Sequence, residues 1–158
     1  MAYIMTNPGV YLREISEDLG LSMGAVQYHT WVLTKNGDVE DCRRGRYRHF
    51  FGARRYGEEE RVVISLLRQG TTGRILLALS GSEPLTHMQL AGILGISSQA
   101  LSWQMKRLKE AGIVETLANQ GHQERRYRLL DNITLTVRSL AHQGTRAELR
   151  VPPIPAVT

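Results

Sequence analysis

Arginine is the residue type best placed to do chemistry in this chain, and it comes in clusters. Arg43, Arg44 and Arg46 surround Gly45, and Arg125 and Arg126 follow a second glycine-bearing stretch. Guanidinium groups bind phosphate bidentately, so arginines at an exposed turn suit a polyanion. The competing reading is a solvated loop with incidental charge. Other reactive side chains offer less. His29, His49, His87, His122 and His142 lack the spacing of metal ligands, and no glycine-rich phosphate loop is present. Cys42 stands alone, which excludes an internal disulfide or a multi-thiolate metal cage. A plain buried or edge thiol is a better account of it than a redox switch. The sequence therefore predicts no catalytic residues, no metal and no cofactor, and the protein is expected not to be an enzyme.

Composition agrees with a polyanion partner. The 158 residues carry a net charge of +5 and a pI near 9.7, which favours nucleic acid first and an anionic membrane second. Hydrophobic residues make up 42%, enough for a folded chain with one ordinary core or two small ones. No apolar run approaches the ~20 residues of a membrane-spanning helix, and no basic-then-apolar leader opens the chain. A soluble, cytoplasmic and nucleoid-associated protein is the expectation, with no membrane partner.

The elements that must position these residues occur twice. "LGLSMGAVQYHTWVL" begins at Leu19 and "LGISSQALSWQMKRL" at Leu94, and the likeness holds at a fixed offset of 75 positions. Leu19, Gly20, Ser22, Ala25, Leu33, Gly37, Val39 and Glu40 recur as Leu94, Gly95, Ser97, Ala100, Leu108, Gly112, Val114 and Glu115. Identity and apolar phase persist together, so the chain contains a duplicated unit.

Each unit has the same physical grammar. Leu12, Ile15 and Leu19, like Leu90, Ala91 and Leu94, have the spacing of a helix face. Gly20 and Gly95 end that helix, Leu21 or Ile96 plugs the corner, and Ser22 or Ser97 caps the next helix. Val26, Thr30 and Leu33, or Leu101, Met105 and Leu108, give the second helix its buried face. Gly37 and Gly112 end it, and two strands joined by a polar turn follow, each returning through "RYR". Tyr47 and Tyr127 are predicted to pack inward, with the flanking arginines outward by the period of two.

Both units resemble winged helix-turn-helix domains of the MarR/ArsR-like kind. The stretch "NPGVYLREISEDLGLSMGAVQYH…GRYRHFF" is particularly similar to archaeal tandem winged-helix transcription regulators. The resemblance covers roughly 1–51 and 72–130 and implies a mainly α fold with small β-hairpin wings, two such units in tandem, and double-stranded DNA as partner. Winged helices also serve as architectural, RNA-binding or protein-docking modules, which is the alternative function. A helix fits the major groove, where glutamine pairs with adenine and lysine or arginine with guanine. The DNA-contacting set is then Ser22, Gln27, Tyr28, Trp31 and Lys35 with the wing residues Arg43, Arg44 and Arg46. Gln99, Ser102, Trp103, Lys106 and Arg107 with Arg125 and Arg126 form the second set. The aromatics can instead pack against a wing, and His29 is read as a packed or capping histidine.

The predicted boundaries are 1–52 for the first unit, 53–70 for a linker helix and 71–130 for the second unit. A further helix is predicted over 131–143 and a disordered tail over 144–158. The linker helix presents Val62, Val63, Leu66 and Leu67, and Thr72 is expected to cap the helix after it. Shifted by the repeat offset, Leu76 falls on Met1, so the first helix of unit one is short of its opening turns, and either the native chain starts upstream or another element is expected to cover the core. Ile4, Ile15 and Val26 are therefore expected to be poorly covered, and Thr30 puts a polar atom in that core. A homodimer built through the terminal and linker helices is the expected remedy.

Overall fold

The computed structural model describes residues 1–118, 121 and 124–142. His122 and the predicted disordered tail lie outside them. The chain divides into two compact units after Arg68.

Unit 1 begins with α1 (Ala2–Thr6), β1 (Val10–Tyr11) and α2 (Leu12–Leu19). Then come α3 (Met23–Lys35), β2 (Val39–Arg44), β3 (Tyr47–Gly52) and α4 (Glu58–Leu67). Its sheet has the antiparallel order β1-β3-β2. Gly20 takes φ +63° at the end of α2, a left-handed geometry that costs glycine little. Ser22 then accepts the Ala25 amide at 3.2 Å and starts α3. One sheet face joins Ile4, Ile15 and Val26 to Val10, Val39 and Phe50 in a core. The expectation that Ile4, Ile15 and Val26 are poorly covered is thus corrected, because the short α1 and the added strand β1 suffice to bury them. Thr30 is buried but satisfied, its hydroxyl donating to the Val26 carbonyl at 2.8 Å.

The other sheet face carries Tyr11, Cys42, Arg44, Tyr47, His49 and Phe51, and α4 lies against part of it. Val63, Ile64 and Leu67 are buried, while Val62 and Leu66 of the expected apolar face are only half-buried. Arg61 pairs with Glu40 of β2 at 2.6 Å, and Arg68 pairs with Glu14 of α2. Gly9, at φ +75°, permits this closure: a Cβ there would stand 2.9 Å from Ile64 Cγ2.

Unit 2 repeats the plan with α5 (Gly70–Leu79), β4 (Leu85–Thr86), α6 (His87–Leu94) and α7 (Ser98–Glu110). Strands β5 (Val114–Leu117) and β6 (Arg126–Leu129) precede α8 (Asp131–His142), and the sheet order is β4-β6-β5. Thr72 does not cap α5, which starts two residues earlier; its hydroxyl instead donates to Gln104 of α7 at 3.1 Å. Arg74 donates to the Leu94 carbonyl at 2.9 Å. These early turns of α5 have no counterpart in α1. Hence Leu94 is 2% exposed, whereas Leu19, expected on a buried stripe, is 47% exposed. Leu21 is likewise exposed rather than plugging the corner. Ile133, Val137 and Leu140 bury one face of α8. Among the described residues no single helix is long and apolar enough to cross a membrane.

Candidate nucleic-acid interface

In each unit the second helix of the helix-turn-helix turns its polar and aromatic residues to solvent. On α3, Gln27, Tyr28, Trp31 and Lys35 are exposed, and Ser22 is exposed at the cap. Tyr28 and Trp31 lie with ring centroids 6.4 Å apart, and the Lys35 ammonium sits 4.8 Å from the Trp31 ring centroid. His29 is exposed too, its ring edge-on to Tyr28 at 5.6 Å. On α7, Gln99, Ser102, Trp103, Lys106 and Arg107 are exposed, and the Arg107 guanidinium covers the Trp103 ring at 4.7 Å. A cation over an indole face holds both side chains in place without neutralising the charge. Such a pair keeps its attraction for phosphate.

The first wing turns at Gly45 and Arg46, where Gly45 takes φ +59° between the paired Arg44 and Tyr47. Glycine first in a two-residue loop suits the twist of a hairpin. Arg43 and Arg46 are exposed, but Arg44 is half-buried on the opposite face from Arg43, and its Nε is enclosed without a hydrogen-bond partner. The three arginines do not form one cluster. Arg48, which sequence reasoning left out of the set, grips Asp41 through Nε at 2.6 Å and Nη2 at 3.0 Å. In the second wing Arg125 is exposed and Arg126 half-buried.

The inward packing expected for both wing tyrosines fails for one. Tyr127 is 7% exposed, but Tyr47 is 54% exposed and leans on Tyr11 at 5.2 Å. Register explains the difference. Val10 faces Phe50 in unit 1 as Leu85 faces Tyr127 in unit 2, so Tyr127 corresponds to Phe50 and not to Tyr47. The two "RYR" motifs are out of step by three residues, and Arg125 is the counterpart of Arg48.

Each unit thereby joins helix and wing in one recess. In unit 1 the recess has a volume of about 420 Å³, with Gln27, Trp31 and Lys35 on the helix side and Arg48 and Phe50 on the strand side. In unit 2 a recess of similar size has Ser98 and Ser102 of α7 facing Arg125 and Tyr127, with His87 between them. His87 Nε2 lies 3.0 Å from the Ser98 hydroxyl and 3.2 Å from the Ser98 carbonyl, and Nδ1 lies 3.3 Å from the Tyr127 hydroxyl. His49 supports the first wing from behind. Its Nδ1 donates to the Gly9 carbonyl at 2.7 Å, while Nε2 is buried without a partner. Burial pushes the His49 imidazole below its ordinary pKa, outweighing the Gly9 carbonyl, which raises it. Among the described residues no group of three or more histidine, cysteine, aspartate or glutamate side chains is arranged to hold a metal ion.

Comparison with known proteins divides the chain in the same way. Residues 1–64 match the family HTH_HVO_0163_N, described as an N-terminal HTH domain, and residues 67–116 match HTH_20, a helix-turn-helix domain. An uncharacterized HTH-type transcriptional regulator of Methanocaldococcus jannaschii is 23% identical over 114 residues, 72% of this chain. The chain spans only 28% of that relative's length. Among solved structures, reduced HlyU from Vibrio cholerae is 23% identical with a TM-score of 0.46, covering 53% of this chain and 87% of its own. The homodimeric winged helix-turn-helix DNA-binding domain of Mb0332 from Mycobacterium bovis is 16% identical with a TM-score of 0.47. It covers 56% of this chain and 82% of its own.

Proposed function

Since the chain is a tandem of two winged helix-turn-helix domains, we propose that it is a sequence-specific double-stranded DNA-binding transcription regulator reading through both headpieces. The observation that carries this reading is the pairing, in each unit, of an exposed polar and aromatic helix face with a basic wing strand across one recess. A major groove accepts such a helix, and a wing then meets the flanking phosphates. Similarity to the HTH-type transcriptional regulator of Methanocaldococcus jannaschii supports it. Gln27 and Lys106 read base edges, and Arg43, Arg46 and Arg125 neutralise phosphate.

Selection of bound duplexes from a random pool tests the reading. A recurring site is the expected outcome, and Gln27→Ala or Lys106→Ala then lowers discrimination by about 1–3 kcal/mol per lost base contact. Replacing Arg43 and Arg46 together by Ala weakens all duplexes alike and flattens the log K against log[salt] slope by roughly 0.9 per contact. Duplex binding with no preferred site makes the protein an architectural module instead; no duplex binding overturns the reading.

Self-association belongs to the same proposal. Met1, Leu19, Leu21 and Met23 are large apolar side chains left exposed in unit 1, and a second copy covers such surface. Sedimentation then gives twice the 17.8 kDa chain mass, and the half-sites of the selected duplex lie about one helical turn apart, roughly 34–36 Å. A monomer at micromolar concentration refutes it.

A further inference from the structure

Outward positions of α3 have partners 75 residues further on in α7, so the two exposed faces can be compared place by place. Gly24 stands against Gln99, Gln27 against Ser102, Trp31 against Lys106 and Lys35 against Glu110. At each of these places the chemistry changes: bare backbone becomes an amide, an amide a hydroxyl, a ring an ammonium, and an ammonium a carboxylate. Tyr28 against Trp103 is the exception. Both are large flat rings, and both are mostly open to solvent, at 62% and 58% exposure.

Neither ring is needed by the core of its own unit, which Val26 and Leu101 already fill from these helices. Each ring is nevertheless held. Tyr28 stands edge-on to His29 at 5.6 Å and tilted against Trp31 at 6.4 Å. The Arg107 guanidinium lies 4.7 Å over Trp103. Rings ordered in advance lose little freedom on binding. Lys35 on α3, and Lys106 and Arg107 on α7, are exposed on the same helices and draw a polyanion toward them.

The major groove decides what such a ring can meet. Base edges there present hydrogen-bonding groups at every pair and one apolar group, the C5 methyl of thymine. A ring face pressed on a carbonyl or amino edge strips it of water and offers nothing in return. Against the methyl group, both surfaces leave water favourably. Chemistry kept at one place, on faces that otherwise differ, marks a feature common to both half-sites. We infer that Tyr28 and Trp103 each read one thymine methyl group, so that two dissimilar half-sites share a thymine at the same register. The inference rests on the DNA-reading function proposed above.

Replacing thymine by deoxyuridine deletes only that methyl group, and binding of the full chain to the selected duplex reads the effect. In each half-site one thymine, at the same register, should lose about fourfold in affinity on replacement, the factor that burial of one methyl-sized group gives. Both replacements together should lose about fifteenfold, because separate sites add. Tyr28→Ala should abolish the thymine preference in one half-site and Trp103→Ala in the other, each leaving its neighbour's intact. Tyr28→Phe should keep it, since the ring and not the hydroxyl makes the contact. A selected duplex indifferent to deoxyuridine at every thymine, or alanine variants that keep the parent's preference, overturns the inference and leaves the proposed function standing. Uniform weakening of all duplexes in Tyr28→Phe, with no change beyond it in Tyr28→Ala, assigns the hydroxyl to phosphate and overturns it as well. If no site recurs in the selection, function and inference fall together.

Discussion

The pair formed by Arg68 and Glu14 gives the sharpest handle on what holds α4 to the first wing. Arg68 is 3% exposed in its side chain and Glu14 10%, and Arg68 also donates to the Pro8 carbonyl at 3.3 Å. Water screens such a pair little, and removing one partner strands a charge in a poorly solvated place. Glu14→Gln should therefore cost about 3–5 kcal/mol, well above the ~1 kcal/mol ceiling of exposed pairs. For a unit of this size that is a fall in thermal midpoint of roughly 12 °C or more. The double replacement Glu14→Leu with Arg68→Met removes both charges and should recover most of the loss, since buried pairs seldom beat apolar packing. Each unit carries one tryptophan, so a Trp103→Phe background lets Trp31 emission report unit 1 alone during urea unfolding. A single-variant cost below about 1 kcal/mol, or a double variant as weak as the single one, would refute the account of a desolvated, mutually dependent pair.

Three further outcomes follow from local geometry. Because burial holds His49 below its ordinary value of 6.5, the unfolded chain binds the extra proton first. Stability is then full above about pH 6.5 and falls as pH drops through that value; the slope should be shallower in His49→Phe, measured by thermal midpoints between about pH 7 and pH 5. Gly9→Ala should destabilise unit 1 by about 1–3 kcal/mol, since φ is positive there and Ile64 blocks the new methyl group; urea titration of Trp31 emission reads it. Ser97→Ala removes the cap that accepts the Ala100 amide at 3.1 Å and should cost about 1 kcal/mol in the Trp103 transition.

The helix–turn–helix order, the capping serines and the hairpin wings were all legible in the sequence. Each rests on signals within a few residues: Gly20 and Gly95, Ser22 and Ser97, and the alternation around Gly45. What escaped depends on distant partners. Strands β1 and β4 have two residues each, too few to show a period, and they exist because β3 and β6 offer an edge. The different fates of Tyr47 and Tyr127 follow from register, which matching the "RYR" motifs by eye places three residues wrong. Leu19 has the spacing of a core residue but lacks the helix turns that cover Leu94. The outer faces of α3 and α7 could be read because exposed positions on a helix are what remains once its apolar stripe is assigned. The recess beside Phe50 could not, since it depends on how helix and strand meet.

Strand β2 lies at one margin of its sheet, six residues long, with no strand among the described residues hydrogen-bonded to its outer side. An open margin of that length is a template for another strand, and charge is one of the ways a protein keeps it from being used. Arg43 lies near the end of that strand and Arg46 follows in the turn, so two of the residues proposed to meet phosphate also put charge on that margin. Stripping them does two things at once. The wing loses its grip on polyanions, and its bare edge gains a route to pairing with a second wing. Duplex itself would then act as a solubiliser of this protein, covering the basic edge whenever it is bound. Wings without these two arginines should accordingly be the form that clouds on concentration, even where their fold is intact.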